Sequence, residues 1–361
     1  MGKKVGIITI TKGSNYGNRL QNYAMQTVLQ RQGYCPETIR KETDVLRRTE
    51  RIKFNIKNIL NIKCSPFEKR MYKFSQFNKR NITFSKEMLS DKKENHSIEE
   101  MYDYFVCGSD QIWNPYFSIN TDLNYLSFVS NKKKVAVSAS FGVDDIPVEK
   151  QQHIKDLLEN LDAISMREYT GEVIVKKLTN KSAITVIDPT LALSESEWEK
   201  IERIPKSRDK DKKYNFCYLL GNYDNSFIQT ITNHAKADQR DVAYLWNEFV
   251  PLQYQGSEFA MDPSEFVWLI HHCEKVITDS FHAVVFSLIF HKPFIVVPRS
   301  VDEGIGDMSS RFKQLEKMFD IKDMLYDGNF GKSAIVDYNN VERVIEREQK
   351  KFLDFIRNSL R

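Results

Sequence analysis

Short runs of apolar, mostly β-branched residues recur along this chain, and each ends at a polar or glycine-bearing loop that leads into an amphipathic segment. KVGIITIT (4–11) is followed by the loop KGSNYGN, and RLQNYAMQTVLQRQG then carries apolar residues at helical spacing up to Gly33. A strand that is apolar at nearly every residue has no face to offer water. Its place is in a parallel sheet covered by helices on both sides, and a glycine just past the periodic residues is a helix stop. The pattern returns with YDYFVCGSD, KKVAVSASFG, AISM and AITVIDPTL as strands, and with VEKQQHIKDLLENLD and YTGEVIVKKL as helices. A polar stretch with Pro205, SESEWEKIERIPKSRDKDKK (194–213), interrupts it. The alternation then resumes through YNFCYLL, NSFIQTITNHAK, DVAYLW, PSEFVWLIHHC, KVIT, FHAVVFSLIF, PFIVV and RFKQLEKMF. The expectation is an α/β chain of two doubly wound, Rossmann-like domains facing a cleft. The boundaries are 1–200 for the first domain, 201–213 for a linker, 214–335 for the second domain and 336–361 for a C-terminal helix. Apolar residues at 341, 344, 345, 352, 355 and 356 give that helix one sticky face, suited to packing across the domain junction. A length of 361 residues is ample for two cores.

Composition narrows the function classes. No stretch approaches the roughly 20 apolar residues of a membrane span. The opening MGKKVGIITITKG has too short an apolar run for a signal peptide and reads as a first strand. Five scattered cysteines (35, 64, 107, 217, 273) contain no CxxC pair, which suggests neither a disulfide framework nor a zinc site and fits a reducing cytoplasm. GSNYGN lacks the spacing of a dinucleotide fingerprint, no Walker loop occurs, and no carboxylate and histidine group has metal spacing. No metal or cofactor is therefore expected. Net charge is only +4, yet 40–93 carries 16 Lys/Arg against 6 Asp/Glu. The simplest reading of this basic excursion is helical, with an apolar stripe (Ile52, Ile56, Leu60; Met71, Phe74, Phe77) packed on its own domain. The alternative is a cationic surface for an anionic lipid or a diphosphate-linked acceptor. With modest overall charge and no recognition motif, nucleic acid is not expected.

In doubly wound sheets ligands bind beyond the carboxyl ends of the strands. The residues there are 14–18, 108–111, 138–141, Arg167-Glu168 and 188–190 in the first half, and Gly221-Asn222, 279–282 and Pro298-Arg299 in the second. Gly13, Asp188-Pro189 and Pro298 are explained by turn chemistry alone. Arg167 and His282 are not, because no turn needs an arginine directly after a strand or a histidine in the first turn of a helix. The helix opening near Ser280, capped by Asp279 or Ser280, directs free N–H groups at the cleft. His282 there can act as an acid or a base, and Arg167 offers a fork that matches phosphate or carboxylate. Asp110, among amide side chains, suits sugar hydroxyls, while Trp113 can face a sugar ring or pack. A small anionic substrate handled by acid/base chemistry is the expectation.

Four blocks resemble the polysaccharide pyruvyl transferases: SNYGNRLQNYAMQ (14–26); YDYFVCGSDQIWNP (102–115); VSASFG, ISMRE and IDPTL; and VITDSFHAVVFSLIFHKPFIVV (276–297) with SSRF (309–312). The resemblance implies a two-domain fold like the GT-B glycosyltransferases. It also implies transfer of an enolpyruvyl-derived group from phosphoenolpyruvate to a sugar as a pyruvate ketal, without a metal. It would make His282 the acid or base, set Ser280 and Phe281 beside the donor, and make Arg167 and Arg311 donor contacts. The acceptor side would hold Asn15, Tyr16, Gly17, Asn18, Ser109, Asp110 and Gln111. The acceptor would be a sugar of a surface polysaccharide or of its lipid-linked precursor, handled in the cytoplasm or at the inner membrane face. Ala283 stands where the family pattern has Gly, and Asn18-Arg19 replace small residues on the acceptor side. Two other functions fit the same residues. One is a glycosyltransferase using a nucleotide sugar, with an acidic residue of DEGIGD (302–307) as its nucleotide contact. The other is a non-catalytic module that binds sugar or lipid.

Overall fold

The computed structural model describes residues 2–44, 48–60, 62, 64–90, 95–247, 259–299 and 309–361. Two parallel sheets are present. The first contains β1 (Lys4–Ile8), β2 (Cys35–Lys41), β3 (Phe84–Leu89), β4 (Tyr104–Cys107), β5 (Lys133–Ala139), β6 (Ala163–Met166) and β7 (Ala183–Thr185), in the order β3-β2-β1-β4-β5-β6-β7. The second contains β8 (Tyr214–Leu219), β9 (Asp241–Trp246), β10 (Lys275–Thr278) and β11 (Phe294–Val296), in the order β11-β10-β8-β9. The helices are α1 (Tyr16–Arg31), α2 (Arg48–Ile59), α3 (Pro66–Asn81), α4 (His96–Glu99), α5 (Val148–Glu159), α6 (Tyr169–Leu178), α7 (Glu195–Glu199), α8 (Asn225–Ala237), α9 (Pro263–His271), α10 (Phe281–Ile289), α11 (Ser309–Phe319) and α12 (Tyr338–Ser359). Strand order reverses beside β1 in the first sheet and beside β8 in the second, so each lobe opens a crevice at the carboxyl end of its first strand.

The two-lobed α/β architecture expected from the apolar runs is present. The basic excursion departs from expectation in two respects: it is not wholly helical, because β3 runs as an edge strand beside β2, and of its apolar stripe Phe74 and Phe77 are buried while Ile52, Ile56 and Leu60 are exposed. An edge strand needs few apolar side chains, and in β3 only Ser85 and Leu89 are fully buried, so no apolar run announces it. Gln26 on α1 reinforces this edge: its amide accepts from the Thr83 N–H at 2.9 Å and donates to the Thr83 carbonyl at 2.8 Å.

The lobes share a continuous core. Tyr16 of α1 stacks on Phe266 of α9 with centroids 4.8 Å apart, and its hydroxyl donates to the Met261 carbonyl at 3.1 Å. Arg70 of α3, buried among Tyr16, Phe74 and Phe259, donates to the Trp246 carbonyl at 2.7 Å and to the Ser14 carbonyl at 3.0 Å. Lys73 and Arg80 of α3 pair with Glu265 and Asp262 of the second lobe at 2.8 Å and 2.7 Å. Part of the basic excursion is thus a clamp between lobes. Helix α12 starts on the second lobe, where the Asn340 amide donates to the Phe319 carbonyl, and ends on the first, where the Tyr34 hydroxyl donates to the Leu360 carbonyl. Val341, Val344, Phe352 and Ile356 form its buried stripe.

Candidate active site

The loops at the carboxyl ends of β1, β4, β6, β7 and β10 converge on one buried group of ionisable side chains. His282, in the first turn of α10, is 6% exposed. Its Nε2 lies 3.6 Å from Asp188 Oδ2, and this buried nitrogen makes no hydrogen bond. Asp188 follows β7 and is completely enclosed. Its Oδ2 accepts from Arg167 Nη1 and from Ser109 Oγ, both at 3.2 Å, and its Oδ1 accepts from the Thr190 N–H at 2.9 Å and hydroxyl at 2.7 Å. Burial disfavours charge on Asp188, but His282, Arg167 and the Thr190 N–H outweigh it and hold the carboxylate below its ordinary range. Asp110 is depressed likewise, with burial opposed by Arg167, His282 and Arg311. Asp110 (φ 62°) and Ser138 (φ 54°) both take left-handed backbone conformations, each a cost of roughly 1–2 kcal/mol for a non-glycine residue. Strain gathered at one crevice is characteristic of functional sites.

Arg167 and His282, singled out by the sequence, therefore meet through Asp188, which the sequence explained as a turn residue. That explanation needs correcting: Asp188 does cap a turn through Thr190, but its second oxygen lies between the imidazole and the guanidinium. A strand end followed by Asp-Pro looks the same in either role, so no sequence signal separates them. The structure also changes the part expected of Arg167. Expected as the donor clamp, it directs its N–H groups inward to Asp110, Asp188, Ser140 and Glu168, at 3.2, 3.2, 3.2 and 3.5 Å. Those carboxylates raise its pKa against the opposing effect of burial. Its fork is shared among the three carboxylates and the Ser140 hydroxyl.

Phe281 lies under both guanidinium groups, with Arg167 Cζ 4.6 Å and Arg311 Cζ 5.9 Å from its ring centroid. Arg311 belongs to α11 of the second lobe and is buried. Its pKa is lowered chiefly by burial and then by the Arg167 cation. The Gln111 amide is assigned with its oxygen toward Arg311, accepting from both terminal nitrogens at 3.0 Å. Ser280 occupies the cap position of α10 without a side-chain cap bond. Asp279 does not cap either, contrary to expectation. Its carboxylate turns back to accept from the N–H groups of Leu220 (2.8 Å) and Gly221 (2.7 Å), from the Tyr223 hydroxyl (3.0 Å) and from Arg299 Nε (2.9 Å). The first-turn N–H groups of α10 are thus left without a side-chain cap beside His282.

On the expected acceptor side the residues separate. Gly17 touches the catalytic candidate directly: a Cβ built there would lie 2.1 Å from His282 Nδ1. Asn15 is exposed and caps α1 by accepting from the Asn18 N–H at 3.1 Å, and Asn18 is buried. Ser109 donates to Asp188, as described, and its N–H donates to Gln21 Oε1 at 3.2 Å. Tyr16 corrects the expectation, since its ring is 0% exposed in the inter-lobe core and has no face for a ligand. Trp113 also packs, stacked on Tyr125 at 4.9 Å with Nε1 donating to the Asn124 carbonyl. Arg19, one of the departures noted in the sequence, wraps the preceding loop by donating to the carbonyls of Ile10, Thr11 and Gly13. DEGIGD (302–307) lies outside the described residues. Among the described residues, ligand atoms close enough to share a metal ion occur at Glu202, His271 and His272 and at Glu195, Glu199 and His271, on α7, α9 and their flanking residues.

Comparisons with known proteins bear on the fold and the family. The fold resembles a protein assigned as UDP-N-acetylglucosamine 2-epimerase from Listeria monocytogenes, at TM-score 0.51 and 10% identity over 98% of this chain and 90% of that one. A UDP-GlcNAc 2-epimerase from Neisseria meningitidis bound to UDP-GlcNAc gives TM-score 0.48 and 9% identity over 98% and 94%. ADP-heptose LPS heptosyltransferase II from E. coli gives 0.35 and 11% over 97% and 98%. At these identities the likeness is one of fold, and of the three only the first exceeds 0.5. No curated protein matches in sequence. The sequence model of the polysaccharide pyruvyl transferases matches residues 15–301, a span that runs from the α1 cap through Asp188 to His282. The chain belongs to the polysaccharide pyruvyl transferase family and is a transferase with a GT-B-like α/β fold.

Proposed function

We propose that the chain moves the enolpyruvyl-derived group of phosphoenolpyruvate onto a sugar of a surface polysaccharide or its precursor, closing a pyruvate ketal. The observation that carries this reading is the unbonded Nε2 of His282, buried beside Asp188 and next to two guanidinium groups that share Phe281. His282, as imidazolium with Asp188 for a counter-ion, gives its proton to the methylene carbon of the donor, and C2 becomes oxocarbenium-like. A sugar hydroxyl adds to C2 and the C2–O bond to phosphate breaks. A second hydroxyl closes the ring. Of the two hydroxyl protons, one replaces the proton His282 delivered and the other leaves with phosphate. Arg311 and the N–H groups of α10 meet the donor's anionic groups, and Arg167 acts as a positioning residue through Asp188 and Asp110. Ser280 and Phe281 flank the donor, while Asn15, Gly17, Asn18, Asp110 and Gln111 face the acceptor and the buried Ser109 supports Asp188 from behind. The reaction needs no cofactor beyond the donor.

The test is to incubate the protein with phosphoenolpyruvate and a panel of galactose-, mannose- and glucosamine-type acceptors, following phosphate release and product mass. A product heavier than the acceptor by one ketal-linked pyruvyl group is expected. Thermal stabilisation by nucleotide sugars but not by phosphoenolpyruvate, with no phosphate released, would reject the proposal.

The Gly17 contact adds a sharper expectation. On helical propensity alone, Gly17→Ala should stabilise α1 by roughly 0.5–1 kcal/mol. The clash with the His282 ring opposes this, and either the imidazole or α1 must shift. We expect a turnover loss of about 10- to 100-fold, as for a reacting group misplaced by about an ångström. Steady-state kinetics alongside a melting curve will check it. Unchanged turnover would mean that the position of His282 is not set by Gly17.

A further inference from the structure

We infer that α2 and the start of α3 form a docking surface for an anionic lipid bilayer, which brings a lipid-anchored sugar acceptor to the crevice. The acceptor half of this inference rests on pyruvyl transfer being the reaction, and the bilayer half does not. Ile52, Ile56, Ile59, Leu60, Ile62 and Phe67 are all exposed, by 40–68%. At 100° per residue Ile52, Ile56, Ile59 and Leu60 share one side of the helix. Isolated exposed apolar residues are ordinary, but a contiguous set of large ones marks an interaction surface. The inner side of α2 is already occupied, with Phe54 against Tyr72 of α3 and Lys57 paired to Glu68 at 2.6 Å. The apolar stripe therefore faces outward while the helix is anchored from behind.

Charge selects the occupant. The α2 sequence RTERIKFNIKNI holds four cations and one acid, within a segment (40–93) whose excess is ten positive charges. Lys53 is exposed next to Ile52, and Lys69 is exposed near Phe67. A second copy of this chain would bring an identical row of cations into the contact. An anionic bilayer accepts the apolar stripe at its headgroup boundary and pairs with the flanking lysines, which is the arrangement of helices that lie in a membrane interface. The position suits the reaction, because α3, on which α2 rests, binds the Ser14 carbonyl through Arg70 at the mouth of the α1 loop. Among the described residues no helix is long and apolar enough to cross a membrane, so this contact would be peripheral.

The full chain should float with phosphatidylcholine vesicles containing phosphatidylglycerol and stay behind with phosphatidylcholine alone. The double variant Ile52→Glu, Ile56→Glu, at two exposed positions, should lose at least about tenfold in bound fraction while keeping its melting temperature, monomeric mass and turnover on a water-soluble sugar. Lys53→Glu, a change of two charges, should weaken binding to the charged vesicles by roughly 25-fold, at about fivefold per charge near the surface. Failure of the wild type to float, or equal flotation of the double variant, would overturn the inference. A wild-type dimer that the double variant abolishes would assign the face to a second copy instead. Flotation that responds to the variants, with no phosphate released from phosphoenolpyruvate by any of the proteins, would leave the surface standing and remove pyruvyl transfer.

Discussion

His282→Gln is expected to lower turnover by about 10³-fold or more while phosphoenolpyruvate affinity changes by no more than a few-fold, the upper range for loss of a positioned acid or base. The imidazole Nε2 is buried and makes no hydrogen bond, with the Asp188 carboxylate 3.6 Å away as counter-charge, so the ring is placed to exchange a proton with a bound substrate. Glutamine is suited to the test because it is close to the imidazole in reach and keeps a polar end near Asp188. His282→Ala should lose turnover equally, but it opens space against Gly17 and leaves one side of the buried carboxylate empty, so its melting temperature should fall further. Single-turnover phosphate release and calorimetric titration of the donor separate the two quantities. Full activity in His282→Gln would remove the residue from the mechanism.

Asp188→Asn is expected to have the second-largest effect, a turnover loss of about 10²–10³-fold through the orientation of His282. The amide preserves the shape of the side chain and can still accept from Thr190, so the loss should appear mainly in kcat rather than in KM. Stability should also fall, by roughly 1–3 kcal/mol, because one of the three carboxylates around the buried Arg167 guanidinium loses its charge. The pH dependence gives a separate readout. Asp188 is held below its unfolded pKa, so its contribution to stability is complete above roughly pH 4 and fades as pH drops through the folded value. The wild type should therefore lose stability on acidification more steeply than Asp188→Asn. Parallel melting curves from neutral to acidic pH would show the two profiles converging at the acid end. Profiles of equal slope would mean that this carboxylate carries no depressed pKa.

The two substitutions act on a pair that local sequence could only half identify. His282 was legible because an ionisable ring in the first turn of a helix, just after a buried strand, answers no need of the helix itself. Asp188 was not, because its sequence context, strand then Asp-Pro-Thr, is fully accounted for by the turn it makes. The same limit explains Tyr16. It sits inside a loop-to-helix block that faces the crevice, yet its ring turns the other way onto Phe266, some 250 residues later in the chain. Arg70 likewise reads as one more cation on a basic helix, and only its carbonyl partners at Ser14 and Trp246 show that it ties the lobes together.

The alternation of apolar runs with amphipathic segments was enough to establish two parallel, doubly wound lobes, the long terminal helix, and the strand ends where a site would form. Periodicity is a property of neighbouring residues, and burial on both faces leaves its mark in every short run. Which charged group faces which was decided only by tertiary packing. The Asp188 carboxylate, the His282 ring and the Arg167 and Arg311 guanidinium groups come from four separate places in the chain, after β7, on α10, after β6 and on α11, drawn from both lobes. Their protonation and reach depend on desolvation and on distances of about 3–4 Å, which the register of the whole fold sets and no local stretch encodes.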